Sequence, residues 1–362
     1  MTLGTLGYDD FFEAGRAEAG LAEFAVGRVL SGSRGAYRVS DGDREYRATV
    51  PGRVAYRAAS LSDFPAVGDF VAFQEAGEGK AVVRGILPRK SVIRRRKGDR
   101  TSGRTEEQVI AANVDMAFVV ESFGRDYSLN RLERYAAIAR DGGVSVSAIL
   151  NKADLVPEEE LCAAIREIGE RFPGMAVFAT SVRSGVGIPE LRAALIPGRT
   201  YALLGSSGVG KSSLTAILTG ADDIRVGEIG ERSERGRHVT TSRETYVLSN
   251  GAILIDNPGI REVGLADASE GVRESFEDVE AYAKDCRFAD CTHVHEPGCA
   301  VLAALESGLL DRERYENRVA LGKEAEFAAS TAADRRKKDR DFGKFMKTAK
   351  EDLRRYKDGF SE

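Results

Sequence analysis

Between Glu23 and Leu87 apolar and polar positions alternate in short bursts. The segments FAVGRVL, GAYRVS, EYRATV, GDFVAF and AVVRGIL are rich in β-branched and aromatic residues and are separated by Gly and Asp. Such alternation predicts half-buried strands. Five of them in this length predict a small barrel, with an OB-type barrel the economical choice and a β-sandwich or SH3-like barrel the alternatives. After Gln108 the rhythm becomes strand–helix alternation. DMAFVVES, VSVSAIL, MAVFAT, TYALLG and AILID read as buried strands. LNRLERYAAIARDGG, PEEELCAAIREIGERF, IPELRAAL and the stretch from Lys211 to Gly220 read as helices between them. That alternation predicts a parallel sheet with helices on both faces. Beyond Val272 strand signals vanish, and the chain becomes polar and helical around a group of cysteines.

Four of the predicted strands end in recognisable loops. Gly205-x-x-x-x-Gly210-Lys211-Ser212 follows an apolar strand and opens a helix, the context in which backbone N–H groups and a helix N-terminus cradle phosphates. Gly205, Ser206, Ser207, Gly208, Val209, Gly210, Lys211, Ser212 and Ser213 are the expected phosphate-binding residues. Lys211 would face the β- and γ-phosphates, and Ser212 would coordinate Mg²⁺. Asn151-Lys152-Ala153-Asp154 ends another strand. A carboxylate at Asp154 can accept from both guanine N1–H and the exocyclic amine, donors that adenine lacks, while the Lys152 stem covers the base. Ser181, in ATSVRSG, would support the base from a second loop. Asp256-x-x-Gly259 closes a further strand, with Asp256 expected near Mg²⁺ and the Gly259 N–H near the γ-phosphate. In RGRHVTT between them, Thr240 or Thr241 would complete the Mg²⁺ shell. GTP with Mg²⁺ is therefore the expected ligand.

The base-reading segment precedes the phosphate loop, the reverse of the usual order. In an open α/β sheet every ligand loop lies beyond the carboxyl ends of the strands. Joining the old termini and opening new ones after the D-x-x-G element leaves the site intact, because chain ends lie at the surface and often close together.

Bulk properties narrow the rest. Length, at 362 residues, predicts two or three domains. The chain carries 42% hydrophobic and 30% charged residues, no bilayer-length apolar run and no signal-like start, so a cytoplasmic protein is expected. Its net charge of -4 hides two basic runs, Arg89–Arg104 and Arg335–Lys357, which favour a polyanionic partner. The first of these is expected to be a linker or an RNA-facing edge. Cys286-x4-Cys291-x-His293-x5-Cys299 offers three thiolates and an imidazole, a zinc set, with His295 as a neighbour pointing away. Cys162 is expected in the core. No coiled-coil seam is evident, so a monomer is expected.

Taken together, EEQVIAANVD, LNRLERY, NKADL, GSSGVGKSSL, RGRHVTT, DNPGIREVGL and CRFADCTHVHEPGCAV resemble the circularly permuted small ribosomal subunit biogenesis GTPases, the RsgA group. The resemblance covers nearly the whole chain. It implies an OB-fold RNA-binding domain with its basic linker over residues 1–100, a permuted GTPase domain over 101–268, and a zinc-binding helical domain over 269–362. It also implies a partner, the small ribosomal subunit and its 16S-type rRNA, with GTP hydrolysis stimulated by that subunit. Val239 and Asn257 stand where the family commonly has threonine. Ile260 stands where many GTPases place a water-orienting glutamine, so His238 is the candidate catalytic residue. A scaffold that binds RNA and uses GTP only to lock its domains is the competing reading, as is a GTPase acting on another RNA or membrane partner.

Overall fold

A computed structural model describes residues 1–33, 35–52, 60–98, 105–123, 127–220, 244–256, 268–329 and Arg340. The first strands are β1 (Ala25–Ser33), β2 (Ala36–Ser40), β3 (Glu45–Thr49), β4 (Phe70–Glu75) and β5 (Lys80–Ile86). They pair in the order β1-β2-β3-β5-β4, and β4 returns to β1, which closes the barrel. β3 and β5 run parallel, and the other pairings are antiparallel. This is the five-stranded Greek-key closure of an OB barrel. Alternate residues point inward, so Val29, Val39, Tyr46, Ala48, Val71, Phe73 and Val83 fill the interior. A register shift in β1 between Val29 and Ser31 lets one strand serve two neighbours. A helix unassigned from sequence, α1 (Asp10–Glu18), packs Phe12 on Phe70. Its N-terminus is capped by the Asp9 carboxylate, which accepts from the Phe11 N–H at 3.2 Å.

The described part of the first basic run, residues 89–98, is built into the fold. Val92–Gly98 forms β6 and pairs with β7 (Thr105–Ala112) as an antiparallel hairpin. Arg89 is not a solvated charge either: its guanidinium donates to buried Asp69 at 2.7 and 2.8 Å.

The remaining strands are β8 (Met116–Ser122), β9 (Ser145–Asn151), β10 (Val177–Thr180), β11 (Thr200–Leu204), β12 (Glu244–Val247) and β13 (Ile253–Asp256). Their order is β10-β9-β8-β11-β13-β12, with β10 to β13 parallel and β12, unread from sequence, antiparallel to β13. Helices α2 (Leu129–Asp141), α3 (Glu158–Arg171), α4 (Ile188–Ala193) and α5 (Lys211–Thr219) cover the sheet. One face buries Val119, Ala148, Leu150 and Leu204 beneath α2 and α3. The other buries Phe118, Ile149, Leu203 and Leu254 beneath α4 and α5. Cys162 is exposed, contrary to expectation. The apolar stripe of α3 runs through Leu161, Ala164, Ile165 and Ile168, and Cys162 falls about 100° off it.

Barrel and sheet are continuous through the Ser31–Glu244 pair between β1 and β12. Beneath that seam lies Arg28, 1% exposed. Its guanidinium donates to Leu6 O at 2.6 Å, Thr200 Oγ1 at 2.9 Å, Gly68 O at 3.2 Å and Asn113 O at 3.3 Å. Burial pushes its pKa down to about 10, against the pull of Asp115 and Asp69, so it stays charged at neutral pH.

Among the described residues four further helices follow, α6 (Ser269–Ser275), α7 (Glu277–Ala283), α8 (Ala300–Glu306) and α9 (Arg312–Ala329). Their Val272, Phe276, Val279, Val301 and Leu321 join the same apolar cluster as Leu132 and Ala136 of α2. α6 crosses α2 so closely that a Cβ on Gly271 would lie 2.0 Å from the Ala137 carbonyl oxygen. Gly271→Ala is therefore expected to force the helices apart and cost roughly 1–3 kcal/mol. Gly169→Ala on α3, where a Cβ meets nothing within 4 Å, should instead be neutral to stabilising, by up to about 1 kcal/mol. Thermal unfolding of the two variants checks the contrast.

Candidate functional site

Strands β9, β10, β11 and β13 are parallel neighbours or near neighbours, so their carboxyl ends meet at one sheet edge. Asn151, Thr180, Leu204 and Asp256 are the residues at those ends. The base-reading and phosphate loops consequently touch. Asn151, 2% exposed, donates from Nδ2 to the Val209 carbonyl at 2.8 Å and accepts from the Thr180 hydroxyl at 3.2 Å. Lys152 adopts the left-handed conformation (φ 61°) and reaches across to the Gly208 carbonyl at 2.8 Å. Gly210, with φ 101°, has to be glycine: a Cβ there would sit 2.2 Å from the Asn151 Nδ2.

Beyond the contact opens a cavity of about 330 Å³ lined by Asn151, Lys152, Asp154, Leu155, Val182, Arg183, Gly210 and Ser213. Asp154 is exposed on its wall, and Ala153 is buried behind it. Ser181 is 1% exposed, and its hydroxyl accepts from the Ser184 N–H at 3.1 Å, holding its own loop in shape. The wall that this loop contributes is Val182 and Arg183, which sequence reasoning did not single out.

The phosphate loop leads into α5. Lys211 is 8% exposed, with Nζ donating to Gly205 O at 2.7 Å and Ser206 O at 2.6 Å. Burial pulls its pKa down, opposed by the charges of Asp256 and Glu121. Ser206 is half-buried, and Ser207, Gly208, Ser212 and Ser213 are exposed along the mouth of the loop. Asp256 is 5% exposed, and its Oδ1 has no hydrogen-bond partner among the described residues. Burial raises its pKa, with Lys211 opposing and Glu244 adding. An orphaned buried carboxylate oxygen at the end of β13, on the sheet edge where α5 begins with the exposed Ser212, is donor chemistry that suits a small hard cation. Glu121 closes in from the end of β8, 1% exposed and 3.5 Å from Arg131. An acid inside an apolar strand at the ligand edge is a signal the sequence does carry. His238, Thr240, Thr241 and Gly259 lie outside the described residues.

A second constellation forms where α8 begins. The donor atoms of Cys286, Cys291, His293 and Cys299 lie within 4.8 Å of one another and could hold a metal ion. The sulfur of Cys286 is 3.5 Å from His293 Nδ1 and 3.8 Å from the sulfur of Cys299. Cys299 Sγ is 3.5 Å from His293 Nδ1. Burial lowers the His293 pKa and favours the neutral, ligating imidazole. Burial opposes ionisation of Cys286, but hydrogen bonds from the Val301 and Ala300 N–H groups, with those from Cys299 and Cys291, hold the thiol below its ordinary value. His293 has φ 61° inside a turn that Glu296 clamps. The Glu296 carboxylate accepts from the N–H groups of Thr292 at 3.0 Å and of Val294 and His295 at 3.1 Å. His295 itself is exposed.

A family model for the RsgA GTPases matches residues 86–266. The chain is 41% identical over 343 residues to small ribosomal subunit biogenesis GTPase RsgA 2 of Listeria monocytogenes serotype 4b (strain F2365), covering 94% of this chain and 95% of that protein. It is 40% identical over 341 residues to the small ribosomal subunit biogenesis GTPase RsgA of Opitutus terrae, 91% of each. The solved structure of YjeQ from Thermotoga maritima is similar, with a TM-score of 0.59 at 26% identity, covering 83% of this chain and 98% of that one. YloQ, a circularly permuted GTPase, shares the fold with a TM-score of 0.56 at 22% identity, over 85% of this chain and 97% of that one.

Asp256 yields a test whose sign is fixed by its raised pKa. A carboxyl with a folded pKa above the ordinary value of 3.8 destabilises the fold when ionised, fully so above its folded pKa and not at all below its unfolded one. Asp256→Asn is expected to raise the Tm of nucleotide-free protein at pH 7, with the gain disappearing towards pH 4. The same variant should lose the Mg²⁺ dependence of nucleotide binding, read by titration with and without the metal.

Proposed function

Because this chain belongs to the RsgA GTPase family and is a GTP hydrolase, we propose that it acts in late maturation of the small (30S) ribosomal subunit. On this reading it binds the 16S-type rRNA of that subunit in the cytoplasm as a monomer, and the subunit stimulates its GTP hydrolysis. The observation that carries the reading is the convergence of base-reading and phosphate loops on one sheet edge, locked together through Asn151. The relatives' names and their near-complete coverage supply the ribosomal context. The outer face of β2 and β3 supports an RNA contact: Arg38, Glu45 and Arg47 line an open depression of about 410 Å³ there, floored by the buried Tyr37 and Tyr46, on the strands with which OB folds bind oligonucleotides. No described helix is long and apolar enough to cross a membrane.

In the GTP site Asp154 accepts the two guanine donors, and the Lys152 stem lies along the base. Gly205, Ser206, Ser207, Gly208, Val209, Gly210 and Ser213 wrap the phosphates with backbone N–H groups, and Lys211 brings a charge already desolvated and aimed. Ser212 and Asp256, with Thr240 or Thr241, would hold Mg²⁺, which when bound neutralises charge on the β- and γ-phosphates. Gly259 would sense the γ-phosphate. His238 is the group to orient water, because the apolar side chain of Ile260 has no donor or acceptor for it. Slow intrinsic turnover follows, and an rRNA-bound state that positions the switch would relieve it.

The second constellation is assigned to one zinc per chain. With Zn–S about 2.3 Å and Zn–N about 2.0–2.1 Å, a tetrahedron has S–S edges of about 3.8 Å and S–N edges of about 3.6 Å. The Cys286–Cys299 and both sulfur–His293 separations, at 3.8, 3.5 and 3.5 Å, agree.

GTP turnover measured alone and with purified small subunits tests the functional reading. Acceleration of tenfold or more is expected, and equal rates would leave only a scaffold that GTP locks. For the metal, elemental analysis should give one zinc per chain, and Cys286→Ser should lose it while nucleotide binding persists. A folded wild-type protein without zinc would overturn the assignment.

A further inference from the structure

A cavity of about 450 Å³ opens where the barrel meets the sheet, at the edge opposite the nucleotide loops. Arg199 and Thr200 line it at the start of β11, and Asp115 lines it just before β8. The phosphate loop begins beyond Leu204, at the other end of β11. At about 3.3 Å per residue, that strand keeps the two roughly 13 Å apart. Tyr8, Asp9 and Phe12 of the N-terminal segment, and Lys90 from the chain leaving the barrel, supply the remaining wall. Three stretches remote in sequence thus enclose one space.

The charged side chains of the lining are Arg28, Lys90 and Arg199 against Asp9 and Asp115. Both carboxylates are engaged within the fold. Asp9 accepts from the Phe11 N–H at 3.2 Å through Oδ1 and is paired with the Lys90 ammonium through Oδ2. Asp115 Oδ2 accepts from the Thr200 N–H at 2.7 Å. The neutral polar groups are committed too. The Ser91 hydroxyl donates to Val114 O at 2.6 Å, and the Asn113 amide joins the Lys90 N–H to Gly68 O at 2.9 and 3.1 Å. Arg28 spends its guanidinium on four oxygens of the protein. Arg199 differs: its exposed side chain has no hydrogen bond or ion pair among the described residues. Lys90, over the Phe12 ring at 4.9 Å, gives Asp9 one of three ammonium hydrogens. The uncommitted donors of the cavity are therefore cationic.

We propose that this cavity is a second ligand site, which takes a small multivalent oxyanion, a phosphate or a polycarboxylate, on Arg199 and Lys90. A guanidinium offers such a group two parallel N–H donors, and the ammonium adds a point charge beside it. Because the other wall groups are already satisfied, the anion enters without breaking a bond of the fold, and little ordering opposes it. Glycines keep the lining open: a Cβ on Gly198 would meet nothing within 4 Å. The volume lies within the range of small-molecule pockets, about 300–1,000 Å³. Lys90 belongs to the chain leaving the barrel and Arg199 to the start of β11. An anion shared by the two fastens the barrel to the sheet, beside the seam that Arg28 already holds.

The test is calorimetric titration of pyrophosphate, and separately of citrate, into the full-length protein saturated with GDP. Constant ionic strength fixes the screening, and GDP keeps the titrant off the phosphate loop. Saturable binding of at least one anion is expected, and the one that binds distinguishes a phosphate ligand from a carboxylate. Arg199→Ala and Lys90→Met should each weaken binding roughly tenfold or more, the loss of one charged hydrogen bond, with GDP affinity unchanged. Arg199 has no partner among the described residues to lose, so its variant should keep the wild-type Tm without titrant. Arg166→Ala, on the exposed side of α3 and away from the cavity, is the reference and should leave binding as it is. Absence of saturable binding by either anion overturns the proposal. So does binding that survives both substitutions, or an equal loss in Arg166→Ala.

Discussion

Asn151 is the residue on which the site depends. Its side-chain amide makes one bond to the phosphate loop and accepts one from the end of β10, while burial removes water as a competitor. Base-reading loop, phosphate loop and the third loop thereby become one body. Their order along the chain ceases to matter, because the amide joins them in space. The absence of a side chain at Gly210 is the other half of this constraint: the two loops approach too closely for any Cβ. A chain that places its base reader before its phosphate loop thus builds the same edge as one that does the reverse.

Charge burial around that edge is the next consequence. Lys211, Asp256 and Glu121 are nearly inaccessible to water; Lys211 and Asp256 act on each other's ionisation, and the Glu121 charge acts on Lys211. Desolvation pushes the lysine down and the aspartate up, so both charges are held at a cost to the fold. The same desolvation makes the lysine's field on an anion stronger than it would be in water. On the proposed reading, a site unfavourable for the isolated fold becomes favourable for a phosphate and a divalent cation together. Stability and ligand affinity are here two readings of one electrostatic arrangement.

Much of this was legible in the sequence, and the parts that were not share a cause. The barrel strands, the parallel strands and α2 through α5 announce themselves through periodicity, and the loop motifs sit at strand ends, where chemistry requires them. β12 is only four residues long and follows a polar stretch, too short a window for alternation to register. α1 contains a glycine and several charges, and its helical state rests on the Asp9 cap and on Phe12 reaching the barrel. Arg28, Arg89 and Glu133 look like ordinary surface charges in sequence. Their partners lie far away, with Arg28 and Thr200 separated by 172 residues and Glu133 and Arg314 by 181. Burial of a charge is decided by tertiary neighbours, and no local pattern encodes it. Cys162 errs the other way: its residue type favours the core, but its helical phase does not.

The permutation has a mechanical result that the motif order alone conceals. β11, which carries the phosphate loop, lies between β8 and β13. The chain enters β8 from the barrel and the β6–β7 hairpin, and it leaves β13 towards α6 and the Cys286–Cys299 loop. Both appended modules are therefore tethered to the two strands that flank the phosphate-loop strand. The barrel is further fixed to the sheet by the Ser31–Glu244 pair and by Arg28. The C-terminal helices share the apolar core of α2. In the usual order the chain would instead begin at the phosphate-loop strand and end after β10 and α4, so its ends would not lie on the two strands that flank β11. Opening the chain at these positions places the two appended modules one strand away from the phosphate-loop strand, on either side of it. Movement of either module relative to the sheet must then strain a strand hydrogen-bonded directly to β11, which is the shortest path by which a large bound partner can be felt at a phosphate.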